Sequence, residues 1–394
     1  MQQEQHLSLP APDAESAGHS ARVADFLREQ IAATGGQLSF AEYMHHVLYA
    51  PGLGYYSAGA AKLGVAGDFV TAPEVSPIFG AVLARQCASV LAQVDSPSIL
   101  ELGAGSGRLA VDVLRKLADL DALPERYLIL EVSADFSERQ KTLLGREIPE
   151  LVDRVTWVDR LPDEHRGVIL ANEVLDALPV ERFVRRGDGI MQICVADDDG
   201  QFVAREIEAP TLLAKAVLGI EEDLGERLAD GYVSEVSLAA LSWVEDLAGI
   251  LRHGTMFLFD YGLSRREYYA AERSDGWLRC HFRHHAHNDP FVLPGIQDLT
   301  AWVDFTAVAT VAVDNGLEVS GYVTQAHFLV GGGLDIELAD FSELPIDAQL
   351  KVSGQVKLLT LPGEMGENFK CLGLSRGALE QPAAFTFADR TTTL

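Results

Sequence analysis

The stretch best equipped for chemistry reads Ile99, Leu100, Glu101, Leu102, Gly103, Ala104, Gly105, Ser106, Gly107. A short apolar run ends in three glycines at alternate positions, with an acid two places before the first. Glycines there let the chain turn sharply and let a ligand approach the backbone without meeting a Cβ. The next acid at the end of an apolar run is Glu131, in Leu128-Ile129-Leu130-Glu131. Beside the Gly-rich turn, its carboxylate can accept hydrogen bonds from both ribose hydroxyls of an adenosine ligand. A dinucleotide fingerprint needs G-x-G-x-x-G/A, whereas here the third glycine falls at 107 and Arg108 follows. The spacing favours an adenosine ligand without a pyrophosphate, and Glu101 can help hold a cationic amino-acid group. S-adenosyl-L-methionine meets that description. Its expected contacts are Glu101, Gly103, Ala104, Gly105, Gly107 and Glu131. A nicotinamide or flavin site, or a plain strand–helix turn, are the weaker readings.

Three further groups stand where such a ligand or its reaction partner would lie. Asp159 follows a third apolar run and can accept from an adenine amino group, while Trp157 reads as core. Gly67, Asp68 and Glu74 belong to a Gly- and Pro-rich loop over residues 50–74, and long ordered loops in compact domains are usually functional. That loop can fold over a cofactor, with Asp68 meeting its ammonium. Asn172, Glu173 and Asp176 follow a fourth apolar run, so they should face a transfer site outside the carboxyl ends of the strands. Carboxylates there can clamp a guanidinium through paired hydrogen bonds. The plainer reading makes Asp176 a cap on the next turn. The cluster His281, His284, His285, His287 and Asp289 has interleaved arginines and no helical H-x-x-x-H pair, so no metal is expected.

Elements must hold these groups. Apolar runs at 98–102, 127–132, 155–158 and 168–171 alternate with helical patterns at 77–94, 109–120 and 134–144. That order predicts a parallel sheet covered on both faces. Helices are also predicted at 21–34 and 39–49, the second with the capping box Ser39/Glu42. Residues 180–207 alternate like a hairpin around an acidic turn at 197–200, and helices follow at 212–218 and 237–251. A fifth run at 255–259 leads into a polar, His-rich loop over 263–298. The rest reads as a helix near 298–315 and strands at 317–323 and 355–361. The expected divisions are a disordered tail at 1–20, an N-terminal cap at 21–96, a core at 97–179 and 252–375, an insertion at 180–251 and a C-terminal tail at 376–394.

Composition narrows the function. The 394 residues carry a net charge of −27, a field that repels phosphate backbones and argues against nucleic acid as partner. No apolar run reaches membrane-spanning length, so no membrane insertion is expected. Four dispersed cysteines read as reduced thiols. The polar N-terminus, with acids and no Arg before Arg22, is read as carrying no transit peptide, and the expected location is a bacterial-type cytoplasm.

Several blocks together resemble the MidA family. They are Phe40-Ala41-Glu42-Tyr43-Met44; Pro51-Gly52-Leu53-Gly54-Tyr55-Tyr56; Gly67-Asp68-Phe69 with Thr71, Pro73 and Glu74; the turn at 101–107; Ala171-Asn172-Glu173 with Asp176 and Pro179; Asp260-Tyr261-Gly262; and Pro294-Gly295 with Asp298, Thr300, Asp304 and Phe305. The resemblance spans roughly residues 21–375. It implies an α/β fold: a Rossmann-like, seven-stranded class I methyltransferase sheet with an N-terminal helical cap and an α+β insertion before the fifth strand. It also implies S-adenosyl-L-methionine as cofactor and an arginine side chain of a protein, a respiratory complex I subunit, as acceptor. On the residues alone, two alternatives stay open: a cofactor-binding assembly chaperone with little turnover, and a small-molecule methyltransferase.

Overall fold

The computed structural model describes residues 9–57 and 70–394. The chain divides into two compact units. One comprises Met1–Phe69, Ala177–Ala240 and Arg266–Trp302, the other Val70–Asp176, Leu241–Arg265 and Val303–Leu394.

The second unit is built on seven strands: β1 (Ser98–Leu102), β2 (Arg126–Leu130), β3 (Val155–Val158), β4 (His165–Asn172), β5 (Leu251–Leu263), β6 (Glu318–Thr324) and β7 (Phe369–Arg376). Their spatial order is β6-β7-β5-β4-β1-β2-β3, and the two-residue strand Val303–Asp304 pairs with the end of β5. The pairs among β1 to β5 are parallel, while β7 runs antiparallel to both β5 and β6. This is the seven-stranded class I methyltransferase arrangement. Every residue of β1 is buried, as a strand covered on both faces must be, which is why it reads as a continuous apolar run. After β1 the chain steps outward to β2 and β3, then returns to the other side of β1 to form β4. Side chains at the carboxyl ends of β1 and β4 therefore flank a crevice where the strand order reverses.

Helices Pro77–Leu91, Arg108–Asp119 and Ala134–Glu147 cover the sheet. Pro77–Leu91 starts with Ser76 as cap and proline in its first turn, where a missing N–H costs nothing. Phe257, Phe259, Phe328 and Phe385 meet in the core at ring separations of 4.8–6.1 Å.

The first unit is antiparallel. Its five-stranded sheet has the order Leu38–Ser39, Gly189–Asp198, Glu181–Arg186, Val233–Val236, with Gln201–Glu208 also on Gly189–Asp198. The helix Phe40–Tyr49 opens with the capping box of Ser39 and Glu42. Val23, Leu27, Tyr43, Met44 and Val47 are wholly buried in this unit's core.

Several expectations need correction. The tail does not extend to residue 20, because the first helix runs Ala14–Ala33. Asp13 caps it by accepting from Ser16 N at 2.8 Å, an Asp-x-x-Ser cap hidden in a polar, Ala-rich stretch. The polar loop at 263–298 contains strands Leu278–Phe282 and His285–His287, and Leu278–Phe282 pairs antiparallel with both His285–His287 and Asp298–Ala301. Leu278, Cys280 and Phe282 are buried and alternate with polar residues, a period-2 signal masked by the histidines. The first unit thus takes 266–302 as well as 177–240, rather than one insertion at 180–251. The helix placed near 298 starts at Phe305, where Asp304 caps Ala307 N at 3.2 Å. Residues 355–361, read as a strand, fall mainly in helix Ile346–Thr360, of which Leu359 alone is buried.

The C-terminal stretch 376–394 is no loose tail. Phe385 is fully buried over Gly321 of β6 and Gly373 of β7, where an added Cβ would run into its ring. Glycine at both positions makes the slot the ring fills. Phe385→Ala should therefore destabilise the protein by about 3–5 kcal/mol, the range for emptying a buried aromatic site. Leu350→Ala, at a side chain 70% exposed, should stay within about 0.5 kcal/mol. Urea titrations of both variants check the contrast.

Candidate active site

Three glycines make the turn after β1. Gly103, Gly105 and Gly107 have φ of 63°, 54° and 86°, the left-handed region that glycine enters without a Cβ penalty. Ala104 lies between the first two, and Gly107 N closes onto Ala104 O at 2.8 Å. Gly107 is also the cap of helix Arg108–Asp119, so the turn leads directly into a helix N-terminus, whose free N–H groups favour anionic or polar ligand atoms. Ser106 Oγ accepts from Arg108 N at 3.2 Å and donates to Glu74 Oε1. That contact ties Glu74, in the short helix Ala72–Val75, to the Gly-rich turn.

Glu101 is 2% exposed and accepts from Tyr127 Oη at 2.7 Å. Burial raises its carboxyl to about 7 against the hydrogen bond from Tyr127, and the Glu131 charge adds to the rise. Glu131 follows β2 directly. Its Oε1 accepts from Ser133 N at 2.8 Å and its Oε2 from Gln140 Nε2 at 3.0 Å. Burial again moves its carboxyl upward, opposed by those bonds. Two donors fix the orientation, and a carboxylate keeps lone pairs for further donors. Val132, the next residue, is 81% exposed, a bare apolar surface at the end of β2 that the sequence reading passed over. Asp159 lies exposed in the bend after β3.

Asn172 ends β4, and Glu173 follows with φ of 54°. A residue with a Cβ in that region costs about 1–2 kcal/mol, and such strain persists where surrounding bonds enforce it. Here Glu173 N donates to Phe259 O at 2.8 Å, and Leu175 N and Asp176 N donate to Asp260 Oδ2 at 2.9 and 3.2 Å. Asn172 Nδ2 donates to Glu173 Oε1 at 3.1 Å, while Asn172 Oδ1 is enclosed without a hydrogen-bond partner among the described residues. Asp176 is 5% exposed. Asp260 is wholly buried, and its carboxyl is pushed well up by burial first, then by Asp176 and Glu173. Sequence reading left Asp260 in a motif block without a role; the structure makes it the brace of the 173–176 turn.

Gly67 and Asp68 lie outside the described residues. Among the described residues no group of His, Cys, Asp and Glu is placed to hold a metal ion. Arg283 and His284 form the tip of a hairpin, both at positive φ. Asp304 serves as a helix cap and pairs with Arg265 at 3.0 Å.

The residues present fit S-adenosyl-L-methionine. Three glycines of the turn carry no Cβ, Glu131 is an oriented acceptor, Val132 offers an apolar face, and Asn172 Oδ1 is an enclosed acceptor without a donor among the described residues.

Comparison with known proteins agrees. A family model described as S-adenosyl-L-methionine-dependent methyltransferase matches residues 82–323. The chain is 33% identical to the mitochondrial protein arginine methyltransferase NDUFAF7 homolog of Drosophila melanogaster, over 93% of this chain and 88% of that one. It is 31% identical to protein arginine methyltransferase NDUFAF7 of Danio rerio, over 87% and 84%. A crystal structure from Burkholderia thailandensis with S-adenosyl-homocysteine bound superposes with a TM-score of 0.92 at 40% identity, covering 98% of this chain and 100% of that one.

The raised Glu101 carboxyl makes stability depend on pH. The folded state holds its proton up to about 7, whereas the ordinary value is 4.5. Its contribution is therefore complete below about pH 4.5 and is lost as pH rises through 7. Glu101→Gln should lack this loss. The stability of the parent protein relative to the variant should fall between pH 4.5 and 7.5, as read from urea midpoints across that range. A constant difference would show that Glu101 ionises normally.

Proposed function

Since this chain belongs to the MidA family of S-adenosyl-L-methionine-dependent methyltransferases, we propose that it methylates an arginine side chain of a protein, with Asn172, Glu173 and Asp176 as its acceptor-binding and catalytic residues. The observation that carries this reading is the strained placement of Glu173 at the end of β4, beside Asn172, Asp176 and the buried Asp260. Crowded carboxylates repel one another, and a cationic acceptor relieves that repulsion. A guanidinium presents N–H donors in a fork that matches carboxylate geometry. The arginine-directed names of the Drosophila and Danio relatives support the same acceptor.

In this proposal Glu101, Gly103, Ala104, Gly105, Gly107, Glu131, Asp159 and Glu74 hold the cofactor. S-adenosyl-L-methionine supplies an electrophilic methyl carbon on a sulfonium sulfur. The protein's task is then alignment of nitrogen, carbon and sulfur. Glu173 and Asp176 accept N–H bonds from the guanidinium and turn one nitrogen toward the cofactor. The guanidinium stays protonated in its free form, with a pKa above about 12. The carboxylates of Glu173 and Asp176 would stabilise the charge on the acceptor while the nitrogen that takes the methyl group gives up its proton to solvent.

The proposed client is a respiratory complex I-type subunit, and the proposed location is the cytoplasm of a bacterial-type cell. Among the described residues no helix is long and apolar enough to cross a membrane. Transfer of label from methyl-labelled cofactor into a host lysate, followed by mass spectrometry, identifies the modified species. Labelled small molecules in place of a methylarginine peptide would sink the arginine reading.

Glu173→Gln keeps shape and removes charge. Turnover should fall about 10²-fold, equivalent to about 3 kcal/mol of lost positioning and electrostatics, with S-adenosyl-homocysteine affinity nearly unchanged. Single-turnover transfer and thermal melting on one preparation check this. Full activity in a stable variant would remove Glu173 from the mechanism. Normal client assembly despite lost turnover would favour a chaperone role.

A further inference from the structure

The geometry assigns Gln140 as the positioning residue of the cofactor site: one buried amide that locks the Gly-rich turn, the Glu131 carboxylate and the third strand into a single arrangement. Gln140 lies within helix Ala134–Glu147 and is fully buried. Its Nε2 donates to Gly105 O at 2.9 Å and to Glu131 Oε2 at 3.0 Å. Its Oε1 accepts from Trp157 Nε1 at 2.9 Å. Both amide hydrogens and the amide oxygen are therefore used, each by a group at the carboxyl end of a different strand.

The partners also fix the amide's orientation. An indole N–H only donates, while a carbonyl and an ionised carboxylate only accept. Flipping the amide would mismatch all three contacts at once. Leucine or methionine could fill the volume but would take one hydrogen-bond partner each from the half-buried Gly105 carbonyl, Glu131 carboxylate and Trp157 indole. Glutamate offers no N–H, and asparagine lacks one methylene of reach. Gly107 belongs to the same device. An added Cβ there would stand 3.3 Å from Gln140 Cγ and 3.0 Å from Leu144 Cδ1. The third glycine of the turn thus leaves room for the Gln140 stem, besides supplying a φ of 86°.

Trp157 consequently acts on the ligand through Gln140. Its indole selects the amide orientation that presents both N–H groups to Gly105 and Glu131. Without the indole the amide still faces Gly105 and Glu131 with its N–H groups, but its oxygen loses its donor and the amide is held by two contacts instead of three.

This inference rests on the reading of the Gly-rich turn and Glu131 as the cofactor site, and the test separates the two. Calorimetric titration with S-adenosyl-homocysteine is the measurement, made on the full chain with melting temperatures alongside. Glu131→Ala tests the site itself; unchanged affinity there would overturn the site reading and this inference together. Gln140→Met should weaken affinity at least tenfold. In turnover it should raise KM for the cofactor at nearly unchanged kcat. Trp157→Phe should weaken affinity several-fold in the parent and have no further effect in the Gln140→Met background. Such coupling is the mark of action through a shared group. With Glu131→Ala weakened, parent-like affinity in a stable Gln140→Met protein would overturn the assignment of Gln140 alone. Additive effects of Gln140→Met and Trp157→Phe would do the same. Should Gln140→Met not fold, Trp157→Phe decides alone: unchanged affinity overturns the assignment, and several-fold loss at a parent-like melting temperature supports it.

Discussion

The parallel pairing of β1 with β2 on one side and β4 on the other sets where every residue of the proposed site can be. Leu102 is level with Leu130 and with Ala171, and Phe259 of β5 is level with Asn172. Parallel strands end their ladders on one edge, so the residues just beyond those ends emerge together. Gly103, Glu131, Glu173 and Asp260 are those residues. None is near another in sequence except through the register of the sheet. A slip of one residue would turn each side chain to the opposite face, and the site would disappear without any change in composition.

Buried acid is the second organising feature. Glu101, Glu131 and Asp260 all lie where burial disfavours their charged forms. Each keeps donors aimed at it: Tyr127 on Glu101, Ser133 and Gln140 on Glu131, and the backbone of 175, 176 and 261 on Asp260. A cluster of carboxylates in a chain of net charge −27 is costly in isolation. It becomes favourable when a cation is brought in, as sulfonium, ammonium or guanidinium. The backbone of Glu173 carries a related cost, with its left-handed conformation held by its own N–H bond to Phe259 and by bonds from Leu175 and Asp176 to Asp260. Pre-positioned strain and pre-positioned charge both place the ordering cost in folding rather than in binding.

Much of this was legible in the residues. The run 98–107 announced a strand and a turn, and the acid at 131 stands at a strand end as expected, because glycine spacing and strand ends carry local conformational meaning. The alternation of apolar runs with helical patterns announced the parallel sheet, and Ser39 with Glu42 announced a helix start. The misses have physical causes too. Polar, Ala-rich residues at 14–20 form a helix because Asp13 caps it, and a single cap weighs little in a composition-based reading. The strand Leu278–Phe282 hides its alternation among histidines and arginines. Residues 355–361 contain four apolar side chains that suit strand or helix equally, and only packing chooses.

The sequence by itself determined the cofactor class and the strand ends proposed to receive it, because those depend on backbone freedom and on charge at local spacing. Only the tertiary structure decided how those ends are held. Gln140 reaches Gly105, Glu131 and Trp157, and Asp260 reaches residues 175 and 176 eighty-odd positions away. Neither role has a signature in spacing. Hydrogen bonding of a buried amide or carboxylate is set by which groups the folded sheet brings within about 3 Å, and that is a property of register and packing rather than of order along the chain.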